Sequence, residues 1–332
     1  MTALVTGAGG FTGGHLARHL AARGDRVRAL VRRRGTAQGL EHPQIEIVEG
    51  DLTDRASLAR AVAGVDVVYN IAARYREAGL PQSQYHAVNA AAVATIVDLA
   101  YEAGARRVVH CSTVGVHGDV EDPPANEDAP LRPGDVYQAT KVEGERLGRE
   151  AAARTGMDLV IARPTGIYGP GDRRLLKLFG SIATRRFVML GPGRNFYHVT
   201  YIDDLCAGFR LCGTVPAAAG RTYILAGGEV TTLRRLVEIT AEVAGVAPPR
   251  WRLPVWPVWL AGAACEAVFT PLGLAPPIYR RRVDFFRKSR AFDITRAREE
   301  LGFAPAVGLR AGIGRTLEWY REHGWIRVAG RA

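Results

Sequence analysis

Short apolar runs alternate with amphipathic stretches through the first half of the chain. Ala3–Val5 is an apolar run closed by glycines, and Phe11–Arg23 follows with Leu16, Leu20 and neighbouring alanines at helical spacing. Val27–Val31 and Ile45–Glu49 read as strands, Ser57–Ala63 as a helix and Val65–Tyr69 as a fourth strand. Ala87–Gly104 predicts a long helix, Arg107–Ser112 a fifth strand, Tyr137–Thr155 another helix and Leu159–Arg163 a sixth strand. Apolar strands alternating with helices predict an α/β fold with a doubly wound parallel sheet covered on both faces.

After about Pro170 the alternation loosens. Gly191–Asn195 reads as a loop, and Thr232–Ala244, Arg296–Leu301 and Leu309–His323 read as helices. The pattern therefore divides the chain into a sheet domain, residues 1–170, and a smaller C-terminal substrate-binding cap, residues 171–332. Some segments of the cap return to the core.

The 332 residues, 47% apolar and 23% charged, suit a folded protein with a sizeable core. The four cysteines, Cys111, Cys206, Cys212 and Cys265, have no metal-ligand spacing, so no metal is expected. The opening MTALVTGAGG has no charged region followed by an apolar signal core, and a reduced cytoplasmic setting is the simplest expectation. The net charge of +11 raises the question of an anionic partner. No interleaving of aromatic and basic residues marks a nucleic-acid module, so nucleic acid is not expected. An arginine-rich solvated surface accounts for most of the charge.

The stretch Leu253–Ile278 is strongly apolar and is followed by Arg280–Arg282, Arg287 and Lys288. Pro257, Glu266 and Pro271 leave no uninterrupted piece long enough to span a bilayer. Two readings remain. The preferred one is a cap helix closing over an apolar pocket, because short apolar runs are ordinarily core. The other is peripheral membrane contact through residues 253–288, with aromatics in the headgroup zone and arginines on lipid phosphates.

The first chemical signal is Thr6-Gly7-Ala8-Gly9-Gly10-Phe11-Thr12-Gly13, placed between the first strand and the first helix. Gly7, Gly10 and Gly13 allow a tight turn and close backbone approach to a pyrophosphate, and the helix N-terminus offers free N–H groups. In a strand–turn–helix context this spacing marks a Rossmann dinucleotide site. Arg32 stands just after the second strand, where an acidic residue would hold the ribose 2′-hydroxyl of NAD. An arginine suits a 2′-phosphate, so NADP is expected, with NAD as the alternative cofactor. Asp51 and Leu52 are placed to contact the adenine edge, and Ala72 and Ala73 to keep the floor thin beneath the cofactor.

The second signal is Tyr137 and Lys141, four residues apart on one helical face. A phenol with a pKa near 10 is a poor base, but a neighbouring ammonium stabilises its phenolate. It can then exchange a proton with a substrate oxygen. A hydroxyl at the end of the fifth strand completes the group, and both Ser112 and Thr113 qualify.

The segments TGAGGFTGGHL, GDLTD, NIAA, CSTVGVHG, YQATK, ARPTGIYGPGD, YIDDL and FDITRAREELGFAP, with Asn89, resemble the extended short-chain dehydrogenase/reductase superfamily, which includes the NAD-dependent epimerase/dehydratase family. The resemblance implies that Tyr137 is the catalytic acid/base and that Lys141 binds the nicotinamide ribose and tunes the tyrosine. It puts Thr113 on the catalytic Ser/Thr position, with Ser112 just before it, and Pro164 and Thr165 beside the nicotinamide. It also implies a homodimer built from Ala87–Gly104 and Tyr137–Thr155.

Sugar-nucleotide enzymes of the superfamily usually carry an asparagine where this chain has Gly166, and often an arginine where it has Tyr197. The chain is more similar to the 3β-hydroxysteroid dehydrogenase-like branch. The expected function is therefore NAD(P)-dependent hydride transfer at a secondary alcohol or ketone of a small, lipophilic, steroid- or terpenoid-like molecule. Arg173, Arg174, Lys177 and Arg194 remain candidate phosphate binders, and they keep open an NAD-dependent sugar-nucleotide epimerase or dehydratase. The third reading is a non-catalytic dinucleotide-sensing protein, against which the intact Tyr/Lys pair argues.

Overall fold

The computed structural model describes residues 1–326 except 76, 78, 270, 271, 273, 275 and 278–282. Seven strands form the central sheet: β1 (Thr2–Thr6), β2 (Arg26–Val31), β3 (Ile45–Glu49), β4 (Val67–Asn70), β5 (Arg107–Cys111), β6 (Leu159–Pro164) and β7 (Thr222–Leu225). Their order is β7-β6-β5-β4-β1-β2-β3, and every pairing is parallel. The chain runs outward from β1 to β3 and then returns to β4 on the other side. The strand order thus reverses between β1 and β4, which is where a ligand crevice opens in this architecture. The apolar pattern predicts six strands. The seventh, the short TYIL run of β7, comes from the second half of the chain.

The helices are α1 (Phe11–Ala21), α2 (Arg55–Val62), α3 (Gln82–His86), α4 (Ala92–Glu102), α5 (Val136–Thr155), α6 (Leu176–Ala183), α7 (Ile202–Thr214) and α8 (Leu233–Ala244); α1, α4, α5 and α7 pack on the sheet, while α6 and α8 pack on each other. Leu16 and Leu20 of α1 join Leu205 and Phe209 of α7 in one apolar core. Leu58 and Val62 of α2 join Ile96 and Val97 of α4 in a second. The predicted helix over 87–104 begins earlier, at Gln82, and passes through a π-helical turn, Ala87–Ala91, before α4. That turn carries Asn89. Its Oδ1 accepts from the Arg74 N–H at 2.8 Å and its Nδ2 donates to the Arg74 carbonyl at 3.0 Å. The loop after β4 is thereby clamped to the helix.

Helix α5 is capped at its start by Asp135, whose carboxylate accepts from the Gln138 N–H at 2.8 Å, and at its end by left-handed Gly156. Gly144 lets it approach the π-helical turn closely, because a Cβ there would run into the Asn89 carbonyl oxygen. Tyr137 and Lys141 ride on this closely seated helix.

Three short strand pairs shape the rest: Gly166–Tyr168 with Val199–Tyr201, Phe196–Tyr197 with Thr231–Thr232, and Met189–Leu190 with Arg252–Leu253. Helices α9 (Val255–Phe269), α10 (Thr295–Leu301) and α11 (Leu309–Glu322) follow. The preferred reading of Leu253–Ile278 as a cap helix over an apolar pocket is corrected here. Of α9 only Gly262 is buried, Trp256 is 68% exposed, and Leu260 and Val268 are exposed too. An apolar sequence reports that water is avoided, not which surface covers it. Among the described residues no helix is long and apolar enough to cross a membrane. Arg280–Arg282 and Ile278 lie outside the described residues.

Candidate active site

A cleft of ≈ 1070 Å³ opens at the carboxyl ends of the strands. The glycine turn forms one end of it, through Gly7, Gly10, Phe11, Thr12 and Gly13. Gly7 has φ +67°, and a Cβ there would meet the Ala72 Cα at 2.8 Å. At Gly13 a Cβ would strike the Gly7 carbonyl oxygen, so this glycine lets α1 leave β1 tightly. Gly10 caps α1 without a side-chain hydrogen bond, and no acidic residue sits in the first turn. The first N–H groups of the helix lack intrahelical partners and face where an anion would gain from the dipole.

Exposed Arg32 lines the cleft beyond the turn, with Arg33 beside it. Asp51 and Leu52 line it too, as do Ala72 and Ala73. The Asp51 carboxylate accepts from the Thr53 N–H at 2.8 Å and its hydroxyl at 2.7 Å. Partial burial pushes its pKa up, but these bonds and the charges of Arg32 and Arg74 outweigh it and hold the carboxyl below its ordinary value.

The β5–α5 side holds the candidate acid/base and hydroxyl groups. Tyr137 lines the cleft half-buried, edge-on to Tyr75 with ring centroids 4.8 Å apart. The two hydroxyl candidates separate. Both line the cleft, but Ser112 is buried and its O–H is spent on Glu145 Oε1 at 2.5 Å. Thr113 is half-buried and caps the following 3-10 turn by accepting from the Gly115 N–H at 3.1 Å. That bond uses a lone pair and leaves the Thr113 O–H to donate.

Glu145 is itself gripped by Arg163, through Nε at 2.9 Å and Nη2 at 2.6 Å, with both side chains at most 4% exposed. Burial alone would raise the Glu145 pKa; the Arg163 and Ser112 bonds reverse the sign and hold it low. Arg163 also donates to the Glu127 carbonyl at 2.8 Å.

Lys141 is not among the lining residues. It is 1% exposed, with Nζ 3.4 Å from His110 Nε2. Burial lowers its pKa, while Cys111 and Glu145 work in the opposite direction.

Pro164 and Thr165 close the floor. The Thr165 Oγ1 is buried and has no hydrogen-bond partner. A dinucleotide fits these residues: an uncapped helix end suits its pyrophosphate, Arg32 its ribose end, and the orphaned Thr165 hydroxyl a polar group at the far end.

The remaining wall comes from distant segments, with Tyr75, Ile167, Tyr197 and Phe292 as its apolar part and Gln138, His198, Arg174 and Arg290 as its polar part. Tyr197 packs edge-on against Phe285 at 5.2 Å. Of the four candidate phosphate binders only Arg174 lines the cleft; Arg173 instead lies over the Trp325 ring. Arg174 is tethered to Asp172 at 3.1 Å and to the Ile167 carbonyl at 3.1 Å. Phe292 was within reach of the sequence through the FDITRAREELGFAP segment, whereas Tyr75, His198 and Arg290 carry no local signal.

Fold and cleft define an NAD-dependent enzyme of the extended short-chain dehydrogenase/reductase type. The chain belongs to the NAD dependent epimerase/dehydratase family, which it matches over residues 3–226. It is 31% identical over 340 residues to sterol demethylase protein B of Methylococcus capsulatus, covering 98% of this chain and 100% of that protein. It is 29% identical over 300 residues to 3beta-hydroxysteroid-dehydrogenase/decarboxylase isoform 2 of Arabidopsis thaliana. That match takes in 85% of this chain but spans about half, 53%, of the Arabidopsis protein. Among solved structures, the dTDP-glucose 4,6-dehydratase DesIV of Streptomyces venezuelae with NAD bound is 28% identical, with a TM-score of 0.77 and coverage of 98% and 99% of the two chains.

The Glu145–Arg163 pair yields a prediction. Glu145→Gln leaves a buried guanidinium uncompensated and should cost about 3 kcal/mol or more at neutral pH in denaturant unfolding. Glu145 is held below its ordinary pKa, so its contribution is present above the unfolded value, about 4.3, and lost as pH falls through the folded one. The gap between wild type and variant should therefore close in acid. A gap of equal size at neutral and strongly acidic pH would contradict the pairing.

Proposed function

We propose that the protein is an NADP(H)-dependent oxidoreductase interconverting a secondary alcohol and a ketone on a small lipophilic, steroid- or terpenoid-like substrate. The observation that carries the reading is that Tyr137 and Thr113 share one cleft with the glycine turn, against a wall of Tyr75, Ile167, Tyr197 and Phe292. The dinucleotide, when bound, supplies the hydride acceptor or donor. The glycine turn and the first N–H groups of α1 hold its pyrophosphate. Arg32 and Arg33 face its 2′-phosphate. Tyr137 exchanges the proton with the substrate oxygen, Thr113 donates a hydrogen bond to that oxygen, and the Lys141 charge on the same helical face favours the phenolate. The names of the sterol-acting relatives support a lipophilic substrate.

Arg174 and Arg290 in the cleft, with the likeness to DesIV, favour a second reading, a sugar-nucleotide epimerase or dehydratase. Protein that purifies with tightly held NAD would support that reading; protein that binds NADPH reversibly supports the first.

The same proposal includes peripheral membrane contact at 253–288. Exposed Trp256, Leu260 and Val268 lie on α9, exposed Arg250 and Arg252 precede it, and Arg287 sits 5.6 Å over the Trp259 ring. It also includes a homodimer formed by α4 and α5, which sedimentation equilibrium would test.

Tyr137→Phe should lower turnover by about 10²–10⁴-fold while the NADPH Kd stays within about twofold. Turnover that survives would sink the acid/base assignment. Arg32→Asp should shift the ratio of NADPH to NADH affinity by about 10–100-fold toward NADH, or about 1.4–2.8 kcal/mol. An unchanged ratio would make Arg32 a surface residue only. The double variant Trp256→Glu/Leu260→Glu should abolish co-sedimentation with phosphatidylserine vesicles. Equal sedimentation of variant and wild type would remove α9 from any membrane contact.

A further inference from the structure

A buried line of polar side chains crosses three neighbouring strands and ends at Lys141. Thr6 on β1 is fully buried, and Asn70 on β4, His110 on β5 and Lys141 are each 1% exposed. The Thr6 Oγ1 accepts from the N–H groups of Ile71 at 3.0 Å and Ala72 at 3.1 Å. Both its lone pairs are then used, so its O–H points to Asn70 Oδ1 at 2.9 Å. That bond orients the amide. The Asn70 Nδ2, which can only donate, faces His110 Nδ1 at 3.2 Å. Nδ1 must therefore accept.

Complete burial keeps His110 neutral, with the Lys141 charge acting in the same direction. A neutral imidazole carries one N–H, which must then sit on Nε2. Nε2 lies 3.4 Å from Lys141 Nζ, at the long end of hydrogen-bond range. An ammonium has three donors and no acceptor, so it would meet this N–H donor to donor.

We propose that His110, locked as its Nε2–H tautomer by Thr6 and Asn70, is a positioning residue that denies the Lys141 ammonium an acceptor on the sheet side and confines its charge to the cleft side, where Tyr137 stands. The consequence for catalysis rests on the reading of Tyr137 and Lys141 as the acid/base pair; the tautomer does not.

The other groups that bear on Lys141 leave this logic intact. Glu145, on α5 itself, spends its oxygens on Ser112 and Arg163. The Cys111 thiol, on β5, is pushed up by burial and stays neutral. With Nε2–H facing it, the ammonium gains no hydrogen bond from His110, so its charge is left to act on an acceptor such as a residue-137 phenolate. Burial lowers the lysine's pKa, as this donor-to-donor approach does.

The test is nitrogen-resolved NMR of the full-length protein carrying labelled histidine and lysine. In wild type the His110 proton should sit on Nε2, with no titration from about pH 5.5 to about pH 9. In Asn70→Asp, one carboxylate oxygen still accepts from Thr6 and the other accepts from Nδ1–H. The proton should move to Nδ1, Nε2 should become an acceptor, and the Lys141 titration midpoint should rise by about one pH unit or more. A wild-type imidazole protonated on Nδ1, or charged within that range, would overturn the proposal whether or not the variant folds. So would an Asn70→Asp protein with a switched tautomer and an unmoved lysine. Failure of the acid/base reading has a separate signature: Tyr137→Phe would keep its turnover while the tautomer stayed as stated.

Discussion

The site hangs on the buried ion pair between Glu145 of α5 and Arg163 of β6, closed by the Ser112 hydroxyl at the end of β5. Taking two charges out of water is repaid only when the remaining donors and acceptors are also satisfied. Here the guanidinium reaches both Glu145 oxygens, the Glu127 carbonyl and the His117 ring. Helix α5 therefore cannot slide or turn against β5 and β6 without stranding a charge. Tyr137, two turns earlier on α5, and Thr113, next to Ser112, inherit their positions from this pair.

The arrangement divides labour between neighbours. Ser112 and Thr113 both line the cleft, but Ser112 spends its O–H on the clamp while Thr113 keeps an O–H to donate. Lys141 is likewise buried, with Nζ 3.4 Å from His110 Nε2, while Tyr137 one turn before it reaches the cleft. Rigid parts carry the dinucleotide end, where Gly7 and Gly13 admit no larger residue. The substrate end is built from loops and short strand pairs that differ in character, with aromatic Tyr197 and Phe292 beside the cations Arg174 and Arg290.

What could be read from the chain was the local chemistry. The glycine turn, Arg32 after β2 and the Tyr137–Lys141 spacing are contiguous in sequence, and each carries its physical reason within a few residues. The residues alone left Ser112 and Thr113 open and the family resemblance pointed to Thr113, but the bond that occupies the Ser112 O–H was not legible, since its acceptor Glu145 lies 33 residues away. The burial of Lys141 beside His110, 31 residues before it, has no local signal either. Strand β7 was missed because three apolar residues after a threonine, in an irregular region, resemble any short core segment. The apolar Leu253–Ile278 stretch was read as cap core, yet α9 displays Trp256 and Leu260 outward. Hydrophobicity gives the wish to leave water, and tertiary placement decides where.

In the proposed enzyme the clamp would bring two hydroxyls, of Tyr137 and Thr113, to one substrate oxygen beside the glycine turn. A crystal structure of the complex with NADPH and a bound ketone tests it most directly. The Tyr137 Oη and Thr113 Oγ1 should both lie within about 3.2 Å of the carbonyl oxygen, with the nicotinamide against Ala72, Ala73 and Thr165. A dinucleotide seated elsewhere, or a carbonyl out of reach of either hydroxyl, would contradict it.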